Sequence, residues 1–298
     1  MSRHIVYIVN PISGTRTKKD LQSFIEKKTQ EKNIPFLVFP SVASGDYSFL
    51  QPIIKENKTT DIVIGGGDGT INQVVGSLLG SDVNFGIIPC GSGNGLAYTA
   101  KISRQPAKAL EIIFAGRSSW IDGFYINHHF SCMLCGLGFD AKVAHDFAMA
   151  PKRGLQTYIR LVIKNFFSAG TYPFELQTGN KLFSTDAFFI SIANSNQFGN
   201  NVTIAPKASL SDGLLDIVIA TDQKKLPLLL ETLKQLLRGN KLQTGDIVIK
   251  RGIVYFQTEK LVISNPSMAP LHIDGDPAET AAKFEIEIKK KCFRLLHP

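Results

Sequence analysis

Length, composition and charge exclude several classes of protein. The chain has 298 residues, 44% of them hydrophobic and 19% charged, so it can form two domains with separate cores. Its 33 basic and 25 acidic residues give a net charge of +8, but the basic residues are scattered and no zinc-finger or RNA-binding motif accompanies them. Apolar runs fall well short of the ~20 residues that cross a bilayer. We therefore expect a cytoplasmic protein that binds no nucleic acid.

The first part of the chain alternates short apolar runs with helical patterns. Residues 4–9 and 34–39 are predicted strands. A helix that ends near Glu31 follows the first strand, and a helix capped by Asp46 and ending near residue 57 follows the second. Strands that alternate with helices in this way predict a doubly wound parallel sheet.

Residues 60–79 combine a buried strand, a glycine turn and the start of a helix. Residues 61–64 have the apolar pattern of a buried parallel strand, three glycines follow at 65–67, and helical spacing begins at Thr70. Such a turn lets backbone N–H groups approach an anion, and the helix N-terminus adds partial positive charge. Asp68 would repel phosphate unless Mg²⁺ bridged the two or the carboxylate accepted a proton from the attacking hydroxyl. The alternative is a surface turn in which Asp68 caps the helix.

A second glycine loop follows the next predicted strand. Residues 84–89 form that strand, and the loop at 90–95 leads into a short helical pattern at 96–100. In a parallel sheet both loops leave from the carboxyl edge, where open α/β sheets bind ligands. We therefore expect the two loops to share one nucleotide.

The second half of the chain has a different pattern, with many short strands and few helices. This pattern predicts a mainly antiparallel β-sandwich. We place a nucleotide-binding α/β domain at residues 1–122 and a β-sandwich substrate or lipid-binding domain at 123–289. Two amphipathic helices at 152–168 and 226–238 either cover the sandwich core or contact a lipid.

Two motifs resemble the diacylglycerol kinase catalytic domain family, which includes sphingosine kinases and bacterial lipid kinases. They are Gly66-Gly67-Asp68-Gly69-Thr70 and Pro89-Cys90-Gly91-Ser92-Gly93-Asn94. The first motif is shared with NAD kinases and 6-phosphofructokinases, whereas the second is more selective. The resemblance implies an NAD kinase-like α/β domain followed by the β-sandwich, with residues 290–298 packed back on the first domain.

The resemblance also implies a reaction, in which the γ-phosphate of ATP passes to a lipid hydroxyl with the help of Mg²⁺. Asp274 is then the leading candidate for the catalytic base, and Asp68 is its rival. Asp276 and Gln73 both stand where the family usually has Glu. The candidate nucleotide-binding residues are Asn10, Ser13, Gly14, Thr15, Ser41, Gly65, Gly66, Gly67, Asp68, Gly69, Thr70, Gly91, Ser92, Gly93, Asn94 and Asp276.

A glycine turn between two carboxylates, Asp212 and Asp216, suits a hard cation. A plain β-turn explains this segment equally well from its residues alone. In bacterial lipid kinases of the family the matching turn holds a structural Mg²⁺, so the resemblance adds both aspartates to Asp68 as candidate metal ligands.

Three functions agree with these patterns. A lipid kinase, peripheral at the inner face of the membrane, is favoured by the second motif. A soluble-substrate kinase of the NAD kinase type shares the first motif, and a non-catalytic nucleotide- or lipid-binding protein would accommodate Gln73 and Asp276. The expected partners are ATP and a lipid substrate at a membrane surface, with a homodimer as one candidate assembly.

Overall fold

The structure is a computed structural model that describes residues 3–11, 18–151, 154–199, 202–203, 205, 207–221 and 252–298. The chain forms two compact units, one of Met1–Ile121 with Lys291–Pro298 and one of Asp122–Lys290. The predicted helix at 226–238 lies outside the described residues, and so do three predicted site residues. These three are Ser13, Gly14 and Thr15.

The first unit is built on a parallel sheet. Its strands are β1 Ile5–Val9, β2 Phe36–Pro40, β3 Asp61–Gly66 and β4 Asn84–Pro89. Its helices are α1 Lys18–Gln30, α2 Leu50–Glu56, α3 Asp68–Ser77, α4 Gly95–Thr99 and α5 Pro106–Ala115. The strands lie in the order β4-β3-β1-β2, each pair parallel, and Arg294 and Leu295 extend the sheet in parallel beside β4. The predicted parallel α/β domain is confirmed.

Apolar side chains on both faces explain why this sheet is buried. Every residue of β1 and β3 is buried, as expected for central parallel strands that have helices on both sides. Tyr7 is the one polar-tipped side chain of β1, and its hydroxyl bonds the Thr29 hydroxyl of α1 at 2.8 Å. The helices bury the apolar side chains of Ile25, Leu50, Ile71, Val74, Val75, Leu110 and Ile113.

The helix α2 begins three residues later than the sequence pattern predicts, with Phe49 and not Asp46 at its N-cap. Asp46 does not cap it, because the Asp46 Oδ1 accepts a hydrogen bond from Ser48 N at 2.9 Å in a turn that precedes the helix. The late start places Pro52 in the first turn, where a missing N–H breaks no helical hydrogen bond. Pro52 would lie beyond the first turn of a helix capped by Asp46, but it is compatible with a helix that starts at Leu50.

The second unit is mainly antiparallel. From Ser118 onward the strands are β5 Ser118–Ile126, β6 His129–Ser131, β7 Leu134–Gly138, β8 Tyr172–Thr178, β9 Lys181–Ala193, β10 Gln197–Gly199, β11 Val202–Thr203, β12 Leu215–Thr221, β13 Ile253–Thr258, β14 Lys260–Ser264, β15 Leu271–Ile273, β16 Asp276–Ala278 and β17 Lys283–Leu296. The helices are α6 Phe139–Ala148 and α7 Leu155–Ser168. Strands β7, β8 and β12 all pair with β9, and β14 pairs with both β8 and β17, each time antiparallel. The predicted antiparallel β-sandwich is confirmed.

Alternation of apolar and polar residues places the core of this unit. In β8, Phe174 and Leu176 are buried while their neighbours Glu175 and Gln177 are exposed. Strand β17 shows the same period of two. The core cluster includes Phe124, Leu137, Phe174, Leu176, Ile190, Ile192, Ile217, Ile219, Leu261, Ile263, Phe284 and Ile286.

Helix α7 falls within the amphipathic segment predicted at 152–168. It buries Val162 and Phe166, and the Phe166 ring meets the Phe139 ring of α6 edge-on at 6.4 Å between centroids. Ile163 of the same helix is 40% exposed. In the part of the chain that the structure describes, no helix is both long enough and apolar enough to cross a membrane.

Candidate active site

The loops that follow the four parallel strands lie at one edge of the first unit, because parallel strands all end on the same side of their sheet. Backbone hydrogen bonds join the strands up to that edge. Asn10 N donates to Gly65 O at 2.9 Å, and Cys90 N donates to Gly66 O at 2.9 Å. The first residues after β1, β3 and β4 are therefore side by side.

The two glycine loops touch through their main chains. A Cβ atom added to Gly91 would lie 2.6 Å from the Gly67 Cα, and one added to Gly67 would lie 3.1 Å from the Gly91 Cα. Neither residue has an unusual backbone angle, so the requirement for glycine here comes from this close approach. The structure thus brings together the two loops that the sequence predicts to share a nucleotide, and no side chain lies between their facing backbones.

Asn94 closes the second loop from inside. Its side chain is buried, and its backbone has the left-handed φ of 55° that asparagine tolerates better than most residues. The Asn94 Oδ1 accepts from Gly91 N at 2.8 Å, and the Asn94 Nδ2 donates to Gly91 O at 2.7 Å. Because both ends of the amide bind the main chain, Asn94 fixes the shape of the loop. Ser92 is exposed and Gly93 is half-buried at its rim.

The helix α3 begins at Asp68, two residues earlier than the pattern predicts, because β3 runs through Gly66 and a single residue makes the turn. That residue, Gly67, is the N-cap and has no side chain with which to cap the first N–H groups of the helix. Asp68 and Gly69 are half-buried in this first turn. One carboxylate beside several main-chain donors fits a nucleotide triphosphate that carries a bound cation.

A side-chain hydrogen bond connects the loop after β1 to α3. The Asn10 Nδ2 donates to the Thr70 Oγ1 at 2.9 Å. Thr70 in turn packs against Gly66, where an added Cβ would lie 2.9 Å from the Thr70 Cβ. Asn10 and Thr70 therefore hold two predicted nucleotide loops in register with each other.

The loop after β2 packs beside the same helix. Ser41 N donates to Val9 O at 3.0 Å, which starts this loop at the carboxyl edge. Further along, Gly45 O accepts from the Ser77 Oγ at 3.2 Å, and a Cβ on Gly45 would lie 3.0 Å from the Gln73 Cδ. Gln73 thus brings an uncharged amide to the side of the loop.

The second unit places Asp274 in the turn between β15 and β16. Asp274 has a φ of 50° and Gly275 a φ of 87°, the two left-handed residues of the hairpin turn that an Asp-Gly pair favours. Asp274 is buried, and its Oδ1 accepts from the Ser131 Oγ at 2.7 Å and from Leu134 N at 3.0 Å. These two donors fix the orientation of the carboxylate. Asp276, two residues on, is exposed.

The two carboxylates of the predicted cation turn lie in different surroundings. Asp212 is exposed, and its Oδ1 accepts from Leu214 N at 3.1 Å. Asp216 is buried on β12, accepts hydrogen bonds from the Tyr255 hydroxyl and from the Gln257 Nε2, and has its pKa raised by burial. Among the described residues, no three His, Cys, Asp or Glu side chains are grouped to hold a metal. The cation site predicted at Asp212 and Asp216 stays a prediction.

Two family profiles together cover most of the chain. The profile of the diacylglycerol kinase catalytic domain matches residues 4–126, and that of the YegS C-terminal NAD kinase beta sandwich-like domain matches residues 134–296. The chain belongs to the diacylglycerol kinase family of lipid kinases. The resemblance carried by the two glycine motifs is confirmed.

Curated relatives and solved structures agree with this membership. A protein named "Probable lipid kinase YegS-like" from Shewanella frigidimarina (strain NCIMB 400) is 26% identical over 246 residues, which are 80% of this kinase and 76% of the relative. "Probable lipid kinase YegS" from Escherichia coli O17:K52:H18 (strain UMN026 / ExPEC) is 29% identical over 245 residues, 80% of this kinase and 78% of the relative. A diacylglycerol kinase structure from Bacillus anthracis str. Sterne has a TM-score of 0.74 at 16% identity and covers 100% of this kinase and 97% of that chain. At that identity the likeness shows the fold alone.

Sequence patterns missed the residues that support the predicted ones. Ser131 is 143 positions from Asp274, and Asp140 is 132 positions from the buried His272 that it contacts. No local spacing marks contacts of this kind. Asp274 itself was predicted only through the family resemblance.

Proposed function

We propose that this kinase transfers the γ-phosphoryl group of ATP, bound with Mg²⁺, to a hydroxyl group of a lipid. The observation that carries the proposal is the contact between Gly67 and Gly91 at the carboxyl edge of the parallel sheet. Two glycine loops that meet there offer main-chain N–H groups to one polyphosphate, and the first turn of α3 adds its own.

The residues of that edge would have different roles in binding the nucleotide. The loops at 65–70 and 91–94 would surround the phosphates. The hydrogen bond between Asn10 and Thr70 would fix the loop at 65–70, and Asn94 would fix the loop at 91–94. Asp68 is the residue that would hold the cation or its water shell. A magnesium ion on the phosphates supplies neutralisation of the charge that develops during transfer.

Two carboxylates are candidates for the base that accepts the proton of the lipid hydroxyl. We favour Asp274, because donors from Ser131 and Leu134 hold one carboxylate oxygen in a fixed direction. Asp68 is the rival, since a carboxylate at the phosphates can accept the same proton. The exposed Asp276 would act on the nucleotide or its cation.

A lipid acceptor is supported by the names of the curated relatives, which include "Probable lipid kinase YegS". The net charge of +8 agrees with work at an anionic membrane surface, where each nearby Lys or Arg adds about 1 kcal/mol. We therefore propose a protein that meets its substrate at the inner face of the membrane.

Label transfer tests the reaction. The protein is incubated with γ-labelled ATP, Mg²⁺ and either mixed lipid micelles or NAD. We expect label in an organic extract of the lipid reactions, and we expect it to vanish with a chelator. Label in NADP would replace the lipid acceptor by a soluble one. No transfer to any acceptor would leave a binding protein and contradict the proposal.

Two substitutions test the assignment of the carboxylates. Asp68→Asn and Asp274→Asn should each lower turnover by roughly 100-fold or more, the usual contribution of a general base or a cation ligand. Asp20→Asn and Asp186→Asn alter exposed aspartates of the first and second unit and should leave turnover unchanged. Near-normal turnover in both test variants would show that the assignment is wrong.

A further inference from the structure

His272 is a buried polar residue that has no role in the reaction as proposed above. It lies on β15, is 2% exposed, and precedes the turn that carries Asp274. Its ring contacts two groups at once. The His272 Nε2 lies 3.3 Å from the Asp140 Oδ2 at the start of α6, and Gly275 N donates to the His272 Nδ1 at 3.3 Å.

These contacts define where the proton of the ring is. A backbone N–H can only donate, so the His272 Nδ1 must accept from Gly275 and cannot carry a proton while that bond is made. The proton is therefore on Nε2, which donates to the Asp140 carboxylate. The two nitrogens of the ring have different structural roles, since Nδ1 closes the Asp274-Gly275 turn and Nε2 anchors it to α6.

The facing strand leaves room for this bond. Gly136 of β7 pairs with His272 of β15, and a Cβ at Gly136 would lie 2.1 Å from the Asp140 Oδ2 and 2.6 Å from the His272 Nε2. Any side chain at position 136 would therefore push the two partners apart. The requirement for glycine at position 136 is therefore steric.

The turn needs such support on more than one side. Asp274 has a left-handed backbone, which costs an aspartate energy unless surrounding contacts hold it. Ser131 and Leu134 bind the Asp274 side chain, Asp274 N donates to Leu134 O at 2.8 Å, and His272 binds the next residue of the turn. The contacts of His272 therefore hold the far side of the turn.

We propose that His272 is a positioning residue, which uses Asp140 as its anchor to hold the Asp274-Gly275 turn in the geometry that phosphoryl transfer requires. This inference rests on the proposed role of Asp274. Nothing in it requires His272 to touch ATP or the lipid. Its substitution should therefore lower kcat and leave the affinity for Mg·ATP unchanged.

Variants at position 272 separate the roles of the two ring nitrogens. His272→Ala removes both contacts and should lower kcat by about tenfold to 100-fold, as small displacements of a reacting group do. His272→Asn keeps an acceptor near the position of Nδ1, and His272→Gln keeps a donor near the position of Nε2, so each should restore part of the rate. His145→Gln is the matched control, because His145 Nε2 bonds Leu271 O of the same strand at 2.8 Å but does not reach the turn. Wild-type kcat in His272→Ala would overturn the proposal.

A double-substitution cycle distinguishes this inference from the function on which it rests. If His272 acts through Asp274, adding His272→Ala to Asp274→Asn should lower kcat no further. Additive losses would overturn the positioning role while leaving Asp274 as the base. Near-normal turnover of Asp274→Asn alone would instead show that the assignment of the base is wrong.

A spectroscopic measurement reads the protonation of the ring directly in the unaltered protein. In ¹⁵N-histidine spectra at neutral pH, assigned with His272→Gln, the His272 signals should show a proton on Nε2 and a bare Nδ1. Asp140→Asn should shift the Nε2 signal because it changes the acceptor. A protonated Nδ1 in the wild-type protein would contradict the hydrogen-bond arrangement and the proposal with it.

Discussion

The proposed nucleotide site of the first unit and the Asp274 turn of the second unit are built in opposite ways. At the sheet edge of the first unit the ligand surface is main chain, made by Gly67 and Gly91 at a distance that excludes any side chain. In the second unit the key group is one carboxylate, held by side chains and amides that are far apart in sequence. The contact between Gly67 and Gly91 is damaged by adding an atom, whereas the carboxylate of Asp274 loses its support when a donor is removed. Substitutions of opposite kinds should therefore be harmful in the two units.

The largest effect is expected when a single carbon atom is added where the two glycine loops meet. Gly91→Ala places a Cβ 2.6 Å from the Gly67 Cα, so one loop must move. A displacement on the order of 1 Å at reacting groups costs roughly 100-fold, and we expect that loss in kcat/KM for ATP. Gly170→Ala is the matched control, because its Cβ would meet nothing within 4 Å. Equal activity of the two variants would contradict a backbone-built site.

The next largest effect is expected from removing the Asn94 side chain, which clamps the loop at 91–94 through its two hydrogen bonds to Gly91. Asn94→Ala leaves the Gly91 N–H and C=O without their partner, a cost of about 2 kcal/mol or roughly 30-fold in the Kd for Mg·ATP. Asn94→Gly keeps the left-handed backbone at no steric cost but also lacks the amide. Calorimetric titration of both variants therefore separates the clamp from the backbone angle. If Asn94→Gly binds ATP like the wild type, the clamp has no role.

In the second unit, removing one hydroxyl should have a smaller effect. Ser131→Ala takes one of two donors from the Asp274 Oδ1, and a hydrogen bond to a charged group contributes about 1.5 kcal/mol. We expect kcat to fall about tenfold with the Kd for Mg·ATP unchanged, and Ser131→Thr to recover part of the rate. The control is Ser184→Ala, an exposed serine of the same unit. A loss of ATP affinity in Ser131→Ala would contradict the division of roles between the units.

The smallest effect is expected on the stability of the first unit, at Tyr7, away from the proposed nucleotide site. Burial raises the pKa of Tyr7 from 10.0 to about 12, so the fold favours the neutral phenol. The stability that comes from this preference is present below pH 10 and is lost as the pH rises through about 12. Tyr7→Phe should cost about 1 kcal/mol at pH 7, through the lost bond to Thr29, and should weaken the decline in alkali. Urea unfolding at neutral and alkaline pH measures both, and parallel declines would contradict the assignment.

The contrast also explains how much of this molecule could be predicted. The parallel sheet, the sandwich and the glycine loops follow from local patterns, because a backbone-built site needs consecutive glycines after a strand. The helix start at Leu50 was not predictable, because Asp46 finds a nearer amide, that of Ser48, in a turn of its own. The hydrogen bond from Tyr255 to Asp216, 39 positions away, was not predictable either, because tertiary packing and not local spacing brings the two side chains together.

Amide hydrogen exchange with and without Mg·ATP tests the central claim most directly, because the proposed ligands are backbone N–H groups. Peptides that cover residues 65–70 and 91–95 should slow together when Mg·ATP is added, with the same concentration dependence. Peptides around the Asp274 turn should change less. Protection of one loop without the other, or protection elsewhere in the chain, would contradict a nucleotide shared between the two glycine loops.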